Sequence, residues 1–270
     1  MKLKLKGVQE TMIIPLWARA VELKQPHPII KDHKAVDIVR NLDYKFSKLD
    51  SEWATQLSVV IRTEILDCAV EKFMAKHELG TVINLGCGLD TRYYRLENSE
   101  YLWYDIDLPD TIELRRNFFD ETDNYHMIGK SVFDYSWFDE ITDNRPILII
   151  AEGLLMYFSE NEVDELMIAL AQKFPGSEMI IETVPNSLVK QSQKSNLIEK
   201  QYDIQANFSW GINKGKDVEK LNHNIEYIED WHYFNYHKDR WRIIRWLSLI
   251  PYFKSRFGNR IVHFKFVKNF

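Results

Sequence analysis

Val82-Ile83-Asn84-Leu85 runs straight into Gly86-Cys87-Gly88-Leu89-Asp90-Thr91-Arg92, and this junction limits the possible folds more than any other stretch. A short apolar, β-branched run ending at a Gly-x-Gly turn reads as a buried strand. Neither glycine places a Cβ in the turn, so the backbone can come close to a ligand. In dinucleotide enzymes a third glycine lets the next helix start host a pyrophosphate. Here Thr91 holds that position, so the fingerprint is incomplete and the turn alone names no cofactor.

The residues around the junction sort into two regions. Residues 1–78 read as helical; apolar residues recur at helical spacing over 50–77 (Trp53, Leu57, Val60, Ile61, Ile65, Leu66, Val70, Phe73). From residue 79 onward strands and helices alternate. Strands are predicted at 101–106, 126–128, 146–151 and 178–183, with helices at 111–119 and 161–174, the latter capped by Ser159. Residues 185–210 are polar and read as a helical insertion near the pocket. A strand at 225–234, a helix at 240–250 and a strand at 261–267 finish the chain, which permits an antiparallel final edge. Such alternation predicts an α/β fold, a mostly parallel sheet with helices on both faces.

Composition removes several functions. With 45% hydrophobic and 28% charged residues, the chain of 270 can bury a sizeable core. A net charge of -5 offers no global field for nucleic acid. Two local basic stretches stand apart, the Lys–Leu alternation at 1–6 and residues 238–268. The second reads as a solvated helix face beside Trp241, Trp246 and Leu247, or as a site for an anionic substrate or a transient membrane contact. Cys68 and Cys87 lack metal-ligand spacing, so neither a disulfide framework nor a metal site is expected. No secretory signal or bilayer-spanning run is evident, and a cytoplasmic protein without stable membrane association is expected. The aromatic residues, many after Trp210, suit packing and also a pocket for a flat or apolar substrate.

Four further residues bear on chemistry. Asp105 and Asp107 end the second strand about 20 residues after the glycines, where a carboxylate can accept both ribose hydroxyls. Asp107 is the better placed, because Pro109 closes the strand; it also reads as an acid at a helix start. Glu152 ends an apolar central strand, where open α/β sheets bind ligands. Arg62 lies on an apolar helix face and suits either a salt bridge or a bound carboxylate.

Together, Asn84 to Arg92, Asp105-Ile106-Asp107-Leu108-Pro109 and Ala151-Glu152-Gly153-Leu154-Leu155-Met156-Tyr157 resemble the leucine carboxyl methyltransferase family. Glu10-Thr11-Met12-Ile13-Ile14-Pro15-Leu16-Trp17-Ala18-Arg19-Ala20 resembles its bacterial branch of polyketide O-methyltransferases. The resemblance covers roughly residues 7–185 and is loose beyond. It implies S-adenosylmethionine (SAM) as cofactor and a Rossmann-like sheet with an antiparallel last strand and a helical N-terminal cover. It further implies that Arg62 holds the methionine carboxylate, Gly86 lies along the amino-acid part, Asp107 binds the ribose and Glu152 sits near the amino group. Ser131-Val132 stands where the family often has Asp-Leu beside adenine, with Asp134 as a substitute.

A sulfonium leaving group needs no acid, so the enzyme must hold an oxygen nucleophile in line. A carboxylate is already ionised at neutral pH, whereas a phenol benefits from a base. Tyr157, about one turn beyond Glu152, is the candidate for contacting the substrate oxygen. His223, His232 and His237 are possible bases, and none is assigned. The expected activity is O-methylation of a carboxylate or hydroxyl of a small molecule. The alternatives are a protein C-terminal carboxylate, a non-catalytic SAM-binding protein and, more remotely, a nicotinamide oxidoreductase.

Overall fold

A computed structural model describes residues 7–96, 100–142, 144–202 and 204–267; the alternation at 1–6 and Lys268 lie outside them. Helices α1 (Ile13–Glu22), α2 (His33–Asn41) and α3 (Trp53–Lys76) come first. The first strands and helices of the sheet are β1 (Thr81–Leu85), α4 (Arg92–Arg95), β2 (Leu102–Asp107), α5 (Pro109–Arg115) and β3 (Tyr125–Gly129). Then come β4 (Ile147–Ala151), α6 (Glu160–Lys173), β5 (Glu178–Thr183), α7 (Asn186–Ser195) and α8 (Leu197–Tyr202). The chain closes with β6 (Ile225–His232), α9 (Ile244–Leu247), α10 (Pro251–Phe257) and β7 (Arg260–Phe266).

The sheet order is β3-β2-β1-β4-β5-β7-β6. The first five strands pair in parallel, with Leu85 opposite Ile106 on one side and Ala151 on the other. Strand order reverses between β1 and β4, and at such a switch point the loops part to leave a crevice. The last strand, β7, is antiparallel to both neighbours and is inserted between β5 and β6, which leaves β6 at the outer edge.

Side-chain alternation divides the core in two. Val82, Leu148 and Ile150 pack with α1, α2 and α3 on one face. Ile83, Leu85, Ile149 and Ala151 pack with Val163, Leu166, Met167 and Leu170 of α6 on the other. Strands covered on both faces are largely apolar, and all five residues of β1 are buried, Thr81 and Asn84 included. Ser159 caps α6 through a complete capping box with Glu162.

The C-terminal helix predicted over 240–250 is broken in the structure. A 3-10 turn, Lys238–Trp241, gives way to Arg242 at φ +50°, and only then do α9 and α10 follow. Pro251 supplies no N–H and holds Ile250 extended, so α9 cannot run on. Likewise α5 starts earlier than predicted, because Pro109 is well suited to the first helical turn.

Candidate active site

The Gly-x-Gly turn takes the conformation its residues suggest. Gly86 and Gly88 both lie at positive φ, +62° and +48°. A Cβ on Gly86 would sit 2.6 Å from Leu154 Cδ1, so an L-residue there is strained twice over. Asp107 closes the turn: one carboxylate oxygen accepts the Gly88 N–H at 2.8 Å and the other the Leu108 N–H at 2.7 Å. Burial pushes this carboxyl above its usual range, against those hydrogen bonds. Asp107 thus serves the start of α5 while still lining the cavity. Asp105 does not reach it; its carboxylate is buried and held by Arg115, Tyr125, Asn84 and Trp103. Cys87 is buried, and desolvation raises its thiol well above normal, so it stays neutral.

Arg62 and Glu152, read separately in the sequence, meet here. Arg62 Nε lies 2.7 Å from one Glu152 oxygen, and its Nη1 donates to Glu182 at 2.7 Å. The other Glu152 oxygen accepts from Arg92 Nη2 at 2.6 Å. Arg92 also binds Asp67 and Asp90, and Arg95 binds Asp67 and Asp32, which pairs with Arg19. Asp90 positions the start of α4 by accepting the Thr91 and Arg92 N–H groups. Burial alone would raise the Glu152 and Asp90 carboxyls, but the guanidinium groups outweigh it and hold both below their usual range. Four guanidinium groups thereby face five carboxylates, and the network is one negative charge in excess.

Asp90 and Arg92 lie in the Asn84-to-Arg92 motif without a role of their own there, and Glu182 lies outside every motif named from the sequence. Glu182 carried the same signal as Glu152, an acid within an apolar strand. Its carboxylate accepts from Arg62, the Gly153 N–H and the Tyr233 hydroxyl.

A cavity of about 550 Å3 joins these groups to an aromatic end. Tyr157, Tyr202, Phe208, Tyr233, Phe234 and Trp241 line that end, and Tyr157 packs on Phe208 at 5.6 Å between centroids. Burial raises the Tyr157, Tyr202 and Tyr233 phenols, so all three are neutral near pH 7. Helices α7 and α8 from the predicted insertion contribute Leu188, Ile198 and Gln201. Among the described lining residues there is no histidine or lysine. His237 instead pairs with Glu64 at 2.7 Å and His232 binds Lys254 O, while His223 lies off the cavity.

Ser131 and Val132 are not among the cavity-lining residues. Val132 is buried in the core with Trp137, and the Ser131 hydroxyl accepts the Phe133 N–H at 3.3 Å. They follow Gly129, which stands opposite Asp107, so the loop they belong to starts beside the site. Asp134 is turned to its own helix start and accepts from Ser136.

The profile of the leucine carboxyl methyltransferase family matches residues 12–171. The tetracenomycin polyketide synthesis O-methyltransferase TcmP of Streptomyces glaucescens is 31% identical, over 98% of each chain. The S-adenosyl-L-methionine-dependent methyltransferase dpfgK of Gibberella zeae is 33% identical over 65% of this chain and 64% of its own. Among solved structures, the magnesium protoporphyrin IX methyltransferase of Synechocystis PCC 6803 matches at a TM-score of 0.49 and 12% identity, over 95% of this chain and 94% of that one, too remote to add to these. Glycine turn, acidic strand ends and similarity along the whole chain converge, and the protein belongs to the leucine carboxyl methyltransferase family.

Proposed function

We propose that this SAM-dependent methyltransferase esterifies a carboxylate of a small, largely apolar acid. The observation that carries the proposal is the lack of a base among the described residues at the aromatic end. The carboxylates that line the cavity are all committed, Asp90 to Arg92, Asp107 to the Gly88 and Leu108 N–H groups, Glu152 to Arg62 and Arg92, and Glu182 to Arg62, Gly153 and Tyr233, and the tyrosines are neutral. A hydroxyl acceptor would have to lose its proton with no group to take it, whereas a carboxylate arrives ionised.

The residues present fit the cofactor. The glycine turn leaves backbone room, Asp107 offers a carboxylate at the end of β2, and the excess negative charge of the network suits a cationic ligand. In this reading Arg62, Gly86 and Glu152 hold the methionine end, Asp107 the ribose, and the loop through Ser131 and Val132 flanks the base. SAM supplies a methyl group on a positively charged sulfur. The chain's own part is to exclude water with its aromatic wall and to orient the acceptor, with the neutral Tyr157 hydroxyl as hydrogen-bond donor.

The test is transfer of labelled methyl to matched acceptors: aromatic carboxylic acids, the same rings bearing only a phenol, and peptides with a free C-terminus. A base-labile ester formed on the small acids is expected. An alkali-stable ether on the phenols, or transfer to peptides alone, overturns the proposal.

A further inference from the structure

Seven of the eleven large hydrophobic side chains exposed among the described residues fall within positions 243–257. Ile243 is 72% exposed, Trp246 61%, Leu249 65% and Tyr252 69%, with Leu247, Ile250 and Phe257 beside them. Isolated exposed apolar residues need no explanation, but a contiguous group does. Arginines are interleaved with them. The Arg245 guanidinium lies 4.6 Å from the Trp246 ring centroid, and Arg256 lies 5.9 Å from that of Tyr252. Neither they nor exposed Arg242 has a carboxylate partner among the described residues, unlike Arg240, which pairs with Glu22. A protein of net charge -5 thus presents one apolar face edged with uncompensated positive charge.

The same segment walls the cavity from within. Trp241, Ile244, Phe253 and Phe257 line it, and the Ser187 hydroxyl of α7 holds the Arg256 carbonyl at 2.6 Å. The outward face of α9 and α10 therefore lies at the mouth of the aromatic end.

We propose that α9 and α10 form an interfacial docking surface for an anionic phospholipid bilayer. Trp and Tyr favour the headgroup level, the aliphatic side chains enter the acyl boundary, and arginine meets lipid phosphate. Charge complementarity selects the occupant, since exposed arginines unpaired within the protein match an anionic leaflet. No helix among the described residues is long and apolar enough to cross a membrane, so the contact is peripheral. Resting on the acceptor reading above, an apolar acid dissolved at that interface would meet the cavity mouth directly. The docking itself is independent of that reading.

Co-sedimentation with lipid vesicles tests it without turnover. The full chain is mixed with vesicles of phosphatidylcholine alone or of equal parts phosphatidylcholine and phosphatidylglycerol. Wild type is expected to sediment with the anionic vesicles, more weakly as salt rises, and to stay in solution with the neutral ones. Arg245→Glu with Arg256→Glu should lower partitioning by about tenfold or more, as should Trp246→Ser with Leu249→Ser. Calorimetric SAM binding, retained by each variant, shows that the fold persists and separates this proposal from the cofactor assignment. The charge pair changes only exposed groups and decides the matter should the apolar pair not fold. Wild type left in solution with anionic vesicles, or charge variants that sediment equally, overturns the proposal. So does a vesicle-free dimer that Trp246→Ser with Leu249→Ser dissociates, because the face then belongs to a second copy.

Discussion

Tyr157 is the residue on which the acceptor reading most directly depends. Its hydroxyl interacts with Thr11, and its ring packs on Phe208. In the proposed reading it is a neutral donor that orients the acceptor without taking a proton. Tyr157→Phe should therefore lower kcat/KM for a carboxylic acid by about tenfold, the value of one hydrogen bond to a charged group. Affinity for SAM, read by calorimetry, should be unchanged. Unaltered kcat/KM would remove Tyr157 from the acceptor site. Glu152 was visible in the sequence because an acid at the end of an apolar strand is costly to bury alone. Its partners were not, since Arg62 lies in α3 and Arg92 in α4, both distant along the chain.

Individual elements are joined by polar ties, and one of them is open to pH. His232 ends β6, accepts the Phe234 N–H at Nδ1 and binds Lys254 O of α10 through Nε2. The ring is therefore the neutral tautomer with its proton on Nε2. Burial pushes its pKa down to about 4. In the unfolded chain the ring takes up a proton near 6.5, whereas the native ring resists until about 4. The stability due to neutral His232 is complete above pH 6.5 and is lost as pH falls towards 4, on the order of 3 kcal/mol in all. Denaturant melts of wild type and His232→Gln across this window should converge as pH falls. A constant difference would show that His232 does not titrate with folding. Helix boundaries follow the same local logic: Pro109 and Pro251 set where α5 and α10 begin.

At the scale of the whole molecule, the cavity brings together a charged end and an aromatic end, with no histidine or lysine among the described residues that line it. With a carboxylate acceptor, kcat/KM should then be flat between about pH 6 and 9. A rate climbing towards about pH 10 would signal a phenol losing its own proton. The rise would count against the ester-forming reading even if products were formed.

The strand-turn-strand core was legible because it is written in neighbouring residues: β-branched runs, two glycines, and acids at strand ends. The long helix α3 was legible from its recurring apolar residues, although residues 59–63 are buried without a break, so it is covered on more than one face, and Ser159 was legible as a cap through its position before an amphipathic run. The insertion of β7 between β5 and β6 required the sheet itself, since strand order depends on pairing between distant segments. Sequence by itself determined the α/β alternation, the family and the cofactor class. Only the tertiary structure decided that Arg62 joins Glu152 to Glu182, that Asp105 is buried against Arg115 and Tyr125, and that α9 and α10 leave an apolar face outside. The physical reason is the same each time. Propensity and periodicity act over a few residues, whereas ion pairing, burial and exposure are settled by which distant side chains the packed sheet brings together.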